Sequence, residues 1–265
     1  MRKYITYFYL SVLDQLEYRT NLVTKIVFRV IPVIGFFYLW RAVYLGGARY
    51  GSYDLAQLAT YFLVSTVIDL ITPTYMTIDN LSENVRTGFL SSTLLKPVVY
   101  MPFQLANFLG ERLVRLIAAM GMTVVAVFLF RSSLTFPASL GLWLIFLVSA
   151  VLAVALAYCV FFIISIVSFW TTRVTGVAFA AVMVTGFLSG TVVPLDLLPN
   201  YLQWLTDILP FKYILFFPTK IFINMLQTSD IVKGLVIQVI WILLTLVLSK
   251  SLWQVGLKKY ESVGS

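Results

Sequence analysis

The sequence contains no histidine and a single cysteine, Cys159, in a chain of 265 residues. One cysteine cannot close a disulfide within the chain, and without histidine a Cys/His metal site has no ligand set. The missing histidine also removes the usual general base of a serine hydrolase, so Ser189 followed by Gly190 carries no catalytic reading. No glycine-rich loop closes on Gly-Lys-Ser/Thr, and the chain has no phosphate-binding loop of its own for ATP. Charge is scarce too: Asp, Glu, Lys and Arg make up 11% of residues, against about a quarter in soluble domains.

Apolar surface is what the chain has in excess. Hydrophobic residues make up 60% and aromatics 16%, with a mean hydropathy of +0.94. Several runs approach the ~20 apolar residues that cross a bilayer as a helix. Spans are expected at 22–45, 55–78, 110–130, 139–168, 174–194 and 232–253. The fourth would reach ~45 Å, longer than the hydrocarbon core, and so should tilt, bend or protrude.

Before the first span, Ile5, Phe8, Val12 and Leu16 recur at steps of three and four. This is the pattern of an amphipathic helix lying in the membrane interface, and Tyr4, Tyr7, Tyr9 and Tyr18 suit that depth. Asp14 and Glu17 interrupt the apolar stretch and no small-x-small site follows, which argues against a cleaved signal peptide. Between the fifth and sixth spans, Pro194, Pro199, Pro210 and Pro218 break the chain into pieces that dip into one leaflet or lie on it. The expected fold is therefore all-α: a polytopic helical membrane protein with six transmembrane helices forming a single domain, 1–265. Added to them are an interfacial helix (1–21), a cytoplasmic coupling segment (79–100) and an extracytoplasmic proline-broken segment (194–230) with short outer-leaflet helices.

An even number of spans puts both termini on one side. With the termini cytoplasmic, thirteen of the nineteen Lys and Arg residues fall on that face and six outside, as positive-inside topology requires. The net charge of +8 follows from topology, with no basic stripe for nucleic acid.

The stretch SENVRTGFLSSTLLKPV, 82–98, interrupts this apolar pattern with Glu83, Arg86 and Lys96. Val85, Phe89 and Leu90 would leave apolar surface without a partner in an ordinary loop, whereas a short helix laying such anchors into a groove is a known recognition mode. Gly88 permits close approach and Pro97 ends the helix.

The chain resembles the membrane subunit of an ABC-2 type transporter, the permease half of an ATP-driven exporter. Three places carry the resemblance: the interfacial helix running into Tyr18-Arg19-Thr20-Asn21; Glu83…Arg86-Thr87-Gly88…Leu94-Leu95-Lys96-Pro97; and Gly186…Gly190…Val193-Pro194-Leu195…Leu198-Pro199 followed by Leu209-Pro210-Phe211…Pro218. The resemblance implies two copies of a soluble ATPase, which would carry ATP and Mg, with no cofactor and no catalysis on this chain. It also implies a second permease chain, identical or related, and a bacterial inner (cytoplasmic) membrane. The ATPase contact it implies comprises Asp14, Glu17 and Arg19 in the first helix, then Glu83, Arg86, Gly88, Phe89, Leu90, Leu95, Lys96 and Pro97, with Arg173 as a smaller contact.

Two further features bear on the membrane interior. Gly186 and Gly190 form a G-x-x-x-G pair suited to packing one permease against another, or helices within one chain. Arg29 and Asp69 each sit ~10–14 Å inside adjacent spans, where an unpaired charge costs ~2.5–3.5 kcal/mol, and a charge pair relieves both. The cargo is not encoded in any motif; few fixed interior charges favour an amphipathic, lipid-like, peptide or drug-like substrate. The alternative is an ATP-independent secondary carrier using Asp69 for ion coupling, but no internal repeat supports it.

Overall fold

A computed structural model of the chain describes residues 2–17, 19–46, 51–73, 75–171 and 174–260. Among the described residues there are helices and no strands. The longer helices are α1 (Arg2–Glu17), α2 (Arg19–Leu45), α3 (Leu55–Ile71), α4 (Tyr75–Arg86), α5 (Phe89–Leu94), α6 (Tyr100–Phe130), α7 (Leu140–Ile166), α8 (Thr175–Ser189), α9 (Asn200–Ile208), α10 (Phe216–Phe222) and α11 (Thr228–Lys259). The expected coupling segment, 79–100, falls on α4, α5 and the start of α6.

Local chemistry sets the helix ends. Asp54 caps α3 through a reciprocal pair with Gln57, and Ser139 caps α7 by accepting from the Leu142 amide. The second apolar run, expected to continue to residue 78, stops at Ile71 because Thr72 precedes Pro73 and is pushed into the extended region. α8 ends at Ser189, five residues short of its expected limit, in a Schellman turn: Thr191 N donates to Gly186 O at 3.1 Å and Gly190 N to Phe187 O at 3.3 Å. Gly190 sits at φ +88, a conformation only glycine adopts readily.

Two helices are long and apolar enough to cross a membrane among the described residues: α7 with its following turn, Leu140–Phe169, and α11. In its most apolar window α7 is 61% buried and α11 only 22%, so α7 is the central staff and α11 lies at the periphery. They pack on each other through a polar pin. Gln238 of α11 is fully buried, accepts from Ser149 Oγ at 3.1 Å, and donates to the carbonyls of Ser149 and Tyr213 at 3.2 and 2.9 Å. Ser149, Ala153 and Ala157, small residues on one stripe of α7, are all buried within the chain.

The proline-broken segment divides as its composition suggests. α9 turns Tyr201, Trp204 and Ile208 outward, whereas all seven residues of α10 are buried against α3 and α7. α10 carries Lys220 into this interior, where Asp196 meets it at 2.8 Å; Tyr53 donates to the same carboxylate at 2.8 Å. Burial and the Asp196 carboxylate push the Tyr53 phenol well above its usual range. Phe217 of α10 also packs on Gly234 of α11, where an added Cβ would meet the ring at 2.1 Å.

That contact yields a stability test. Gly234→Ala should destabilise the chain by ~1–3 kcal/mol through overpacking, while Gly121→Ala, with nothing within 4 Å of its Cβ, should be neutral or mildly stabilising. Thermal unfolding of both variants in one detergent separates the two cases.

Candidate functional site

The segment joining α3 to α6 is where polar surface and unpartnered apolar side chains coincide. α4 closes with Glu83 and Arg86 one turn apart, paired at 2.6 Å on the surface. The hydrogen bond from Arg86 holds the Glu83 carboxyl below its usual range. Gly88, at φ +74, then turns the chain into α5, which no residue with a Cβ does without strain.

α5 has an inner and an outer face. Leu90 is fully buried with Leu81, Tyr100 and Phe103, and Val85 packs on the same cluster. Leu90 therefore cannot reach an ATPase and anchors α5 to the body; the expectation that it makes the contact is corrected. The outer side shows Phe89, Leu94 and Leu95, the last 88% exposed, with the Lys96 ammonium 5.5 Å from the Phe89 ring. Pro97 and Lys96 are exposed beside them.

This surface is tied to α1. Lys3 Nζ donates to Pro97 O, and Val99 N donates to Tyr4 Oη at 3.1 Å. One and two turns on, Tyr7 meets Phe103 edge-on with centroids 4.6 Å apart, and Ser11 Oγ donates to Asn107 O at 2.7 Å. At Gly110 the helices touch backbone to backbone: a Cβ there would lie 2.5 Å from Phe8 O. The face α1 turns to α6 is thus Tyr4, Tyr7, Phe8 and Ser11, while Ile5, Tyr9, Leu13 and Leu16 remain exposed. The expected apolar stripe is split between a protein face and an outward face.

Two more elements close around the same place. Asn84 and Gln104 both donate to Tyr100 Oη, whose ring stacks on Trp253 at 4.8 Å. Tyr260, just past α11, shares a 2.9 Å hydrogen bond with Ser91. Helices α1, α4, α5, α6 and the end of α11 therefore converge on one patch.

The other expected site residues lie elsewhere. Asp14 and Glu17 are exposed at the far end of α1, ~16–21 Å along the axis from Lys3. Arg173 and the side chains of Arg19 and Arg29 fall outside the described residues, and with Arg29 goes the expected pair with Asp69, which is half-buried in α3. Gly190 is taken up inside the chain, accepting a 2.6 Å hydrogen bond from Tyr61, so it does not offer a face to a second permease; Gly186 remains open, with nothing within 4 Å of a Cβ. Arg112 and Arg115 are buried: Arg112 reaches Leu70 O at 3.4 Å and covers the Phe108 ring, and Arg115 pairs with Glu111. Among the described residues no group of three or more Cys, Asp or Glu could hold a metal.

Sequence reasoning missed Lys3, Tyr4 and Tyr260 as parts of the site. Their partners are 94, 95 and 169 residues away, and no local pattern marks such pairs.

Residues 30–264 match the family described as ABC-2 family transporter protein. This chain belongs to that family. No individual curated protein matches the sequence. The chain is thus a membrane permease of an ABC-2 transporter, and the family implies an ATPase partner. The match starts inside α2, so α1 stands ahead of the matched region, while its partners from Pro97 to Gly110 lie within it.

The seat of α1 has a direct test. Gly110→Leu should lift α1 from α6 without disturbing α7. Hydrogen exchange across residues 2–17 should accelerate by at least about tenfold, with exchange in α7 unchanged; equal protection of α1 in both proteins would contradict the seat.

Proposed function

We propose that this permease is driven by a separate ATPase that docks on the patch formed by Glu83, Arg86, Phe89, Leu94, Leu95 and Lys96. The observation that carries the reading is the division of α5. Leu90 and the Gly88 turn fix the helix to the permease body, while Phe89 and Leu95 face outward with charged residues around them. A small apolar centre rimmed by charge is the usual anatomy of a protein contact.

In this reading the chain catalyses nothing and binds no cofactor; ATP and Mg belong to the ATPase. Two permease chains and two ATPases make the working unit in a bacterial inner membrane, with both termini cytoplasmic. The six spans are α2, α3, α6, α7, α8 and α11. α3 and α8, at 17 and 15 residues, give ~22–26 Å of the ~30 Å core. The buried α10 makes up part of that shortfall on the outer side. ATPase closure moves α5, and the α1 contacts carry that motion into α6, so that α1 and the coupling segment travel as one body. A ligand shifts such an equilibrium only through differential contacts with the two states, and the patch supplies them. Transport runs outward, of an amphipathic cargo suited to a path with few fixed charges.

Leu95→Asp is the decisive substitution because Leu95 is the most exposed of the anchors. An ATPase should copurify with the unmodified permease from gently solubilised native membranes. It should be lost by at least about tenfold from the variant, at unchanged thermal stability. Absence of any ATPase from the unmodified complex, or full retention by Leu95→Asp, would overturn the reading.

A further inference from the structure

α8 packs on α4, α7 and the turn before α10, and α11 packs along α7, but α8 and α11 leave a gap between them. A groove of ≈ 570 Å³ occupies that gap. α8 lines it with Val177, Ala180, Ala181, Val184 and Thr185, one stripe at steps of three and four; α7, Leu252 of α11 and Phe211 complete the wall. No lining side chain carries a charge. The polar side-chain groups in the lining are the Trp170 indole, just past α7, and the Thr185 hydroxyl, roughly three turns along α8 from that end. Thr185 is buried, and its hydroxyl has no hydrogen-bond partner among the described residues.

A resident water needs two to four polar partners close together, which this lining does not supply. A charged group would find no counter-charge. An apolar chain suits the groove, and size decides which kind. Val177 to Thr185 covers ~12 Å of α8, a length over which a packed helix ~10–12 Å across fills on the order of 1,000 Å³. The groove offers little more than half of that. At about 30 Å³ per water-sized group it takes roughly 19 of them, the bulk of one fatty acyl chain. The side of α8 left open to a second permease is also a different one. Phe179, Met183 and Gly186 lie off the lining stripe, the first two exposed and the third with nothing within 4 Å of a Cβ. We infer that the groove holds one acyl chain of a membrane phospholipid, wedged between α8 and α11 as a resident part of the permease. Inside a bilayer, packing and not the hydrophobic effect retains such a chain, and walls on three sides give it more contacts than neighbouring lipids do. Retention requires only the bilayer, and holds whether or not an ATPase docks on α5.

The test uses the full chain in phosphatidylcholine nanodiscs doped with an analogue that carries a diazirine on one acyl chain. At low probe fraction, photolysis should label residues 177–185 at least about tenfold more than 239–248, the exposed apolar stretch of α11. Groove labelling should saturate as the probe fraction rises, while labelling of α11 keeps climbing. Val184→Trp, at a half-exposed position, and Ala181→Trp both fill the groove and should abolish the excess at unchanged melting temperature. Met183→Trp, on another side of α8, should leave it intact. Equal labelling of the two stretches would mean an ordinary lipid film and would overturn the inference. So would an excess that survives both groove substitutions. A disulfide between two chains carrying Ala180→Cys would put a second copy in the groove, and would overturn it as well.

Discussion

The backbone of α1 lies so close to α6 at Gly110 that no side chain fits between them, and the proposed docking surface is built around that contact. Because the two helices cannot slide past each other there, Lys3 and Tyr4 are held at the register that lets them reach Pro97 and Val99. Those two bonds fix the loop leaving α5, and Leu90 fixes α5 itself. Removing the close approach would leave each remaining hydrogen bond worth only about 1 kcal/mol, too little to position a helix alone. A rigid patch is what a mechanical partner needs, since a loose one would absorb its motion.

The body of the permease follows a second rule, that polar groups among apolar helices need partners. Gln238 satisfies it by joining α11, α7 and the turn before α10. Lys220 satisfies it with Asp196 and Tyr53, which pins the buried α10 to the loop before α3. Asp196 keeps about a third of its side chain exposed, so this pair is screened and its contribution lies below that of a fully buried one. Its larger effect is orientation: it fixes which way the short α10 faces. Arg112 serves in a similar way at the end of α3, where the Leu70 carbonyl lies at the negative end of the helix dipole.

Much of this was legible in the sequence, and the parts that were not share a physical cause. Long apolar runs, proline breaks and Gly88 foretold an all-α chain with an insert after α3, because each acts locally. The same prolines foretold short helices in place of one long span, but not that α10 would be buried in the protein while α9 stays on the surface. Which face of α5 turns inward was not readable, since six residues make fewer than two turns and a periodic pattern needs more. Phe89 and Leu90 look equivalent on paper, yet one is half-exposed and the other fully buried. Gly190 satisfies the spacing of a helix-packing motif, but its positive φ makes it a helix stop, and dihedral angles do not show in a spacing.

The central claim is that α1 and the coupling segment move together through the ATPase cycle. Cys159 is the permease's only cysteine and is buried, so introduced pairs can be cross-linked without competition from its own thiol. The most direct measurement is nucleotide hydrolysis by the permease–ATPase complex carrying Lys3→Cys and Pro97→Cys, before and after joining the pair with a short bismaleimide. The account predicts that the tethered complex keeps its substrate-stimulated ATP hydrolysis. Arrest of that hydrolysis by the tether would show that the two elements must separate, and would contradict it.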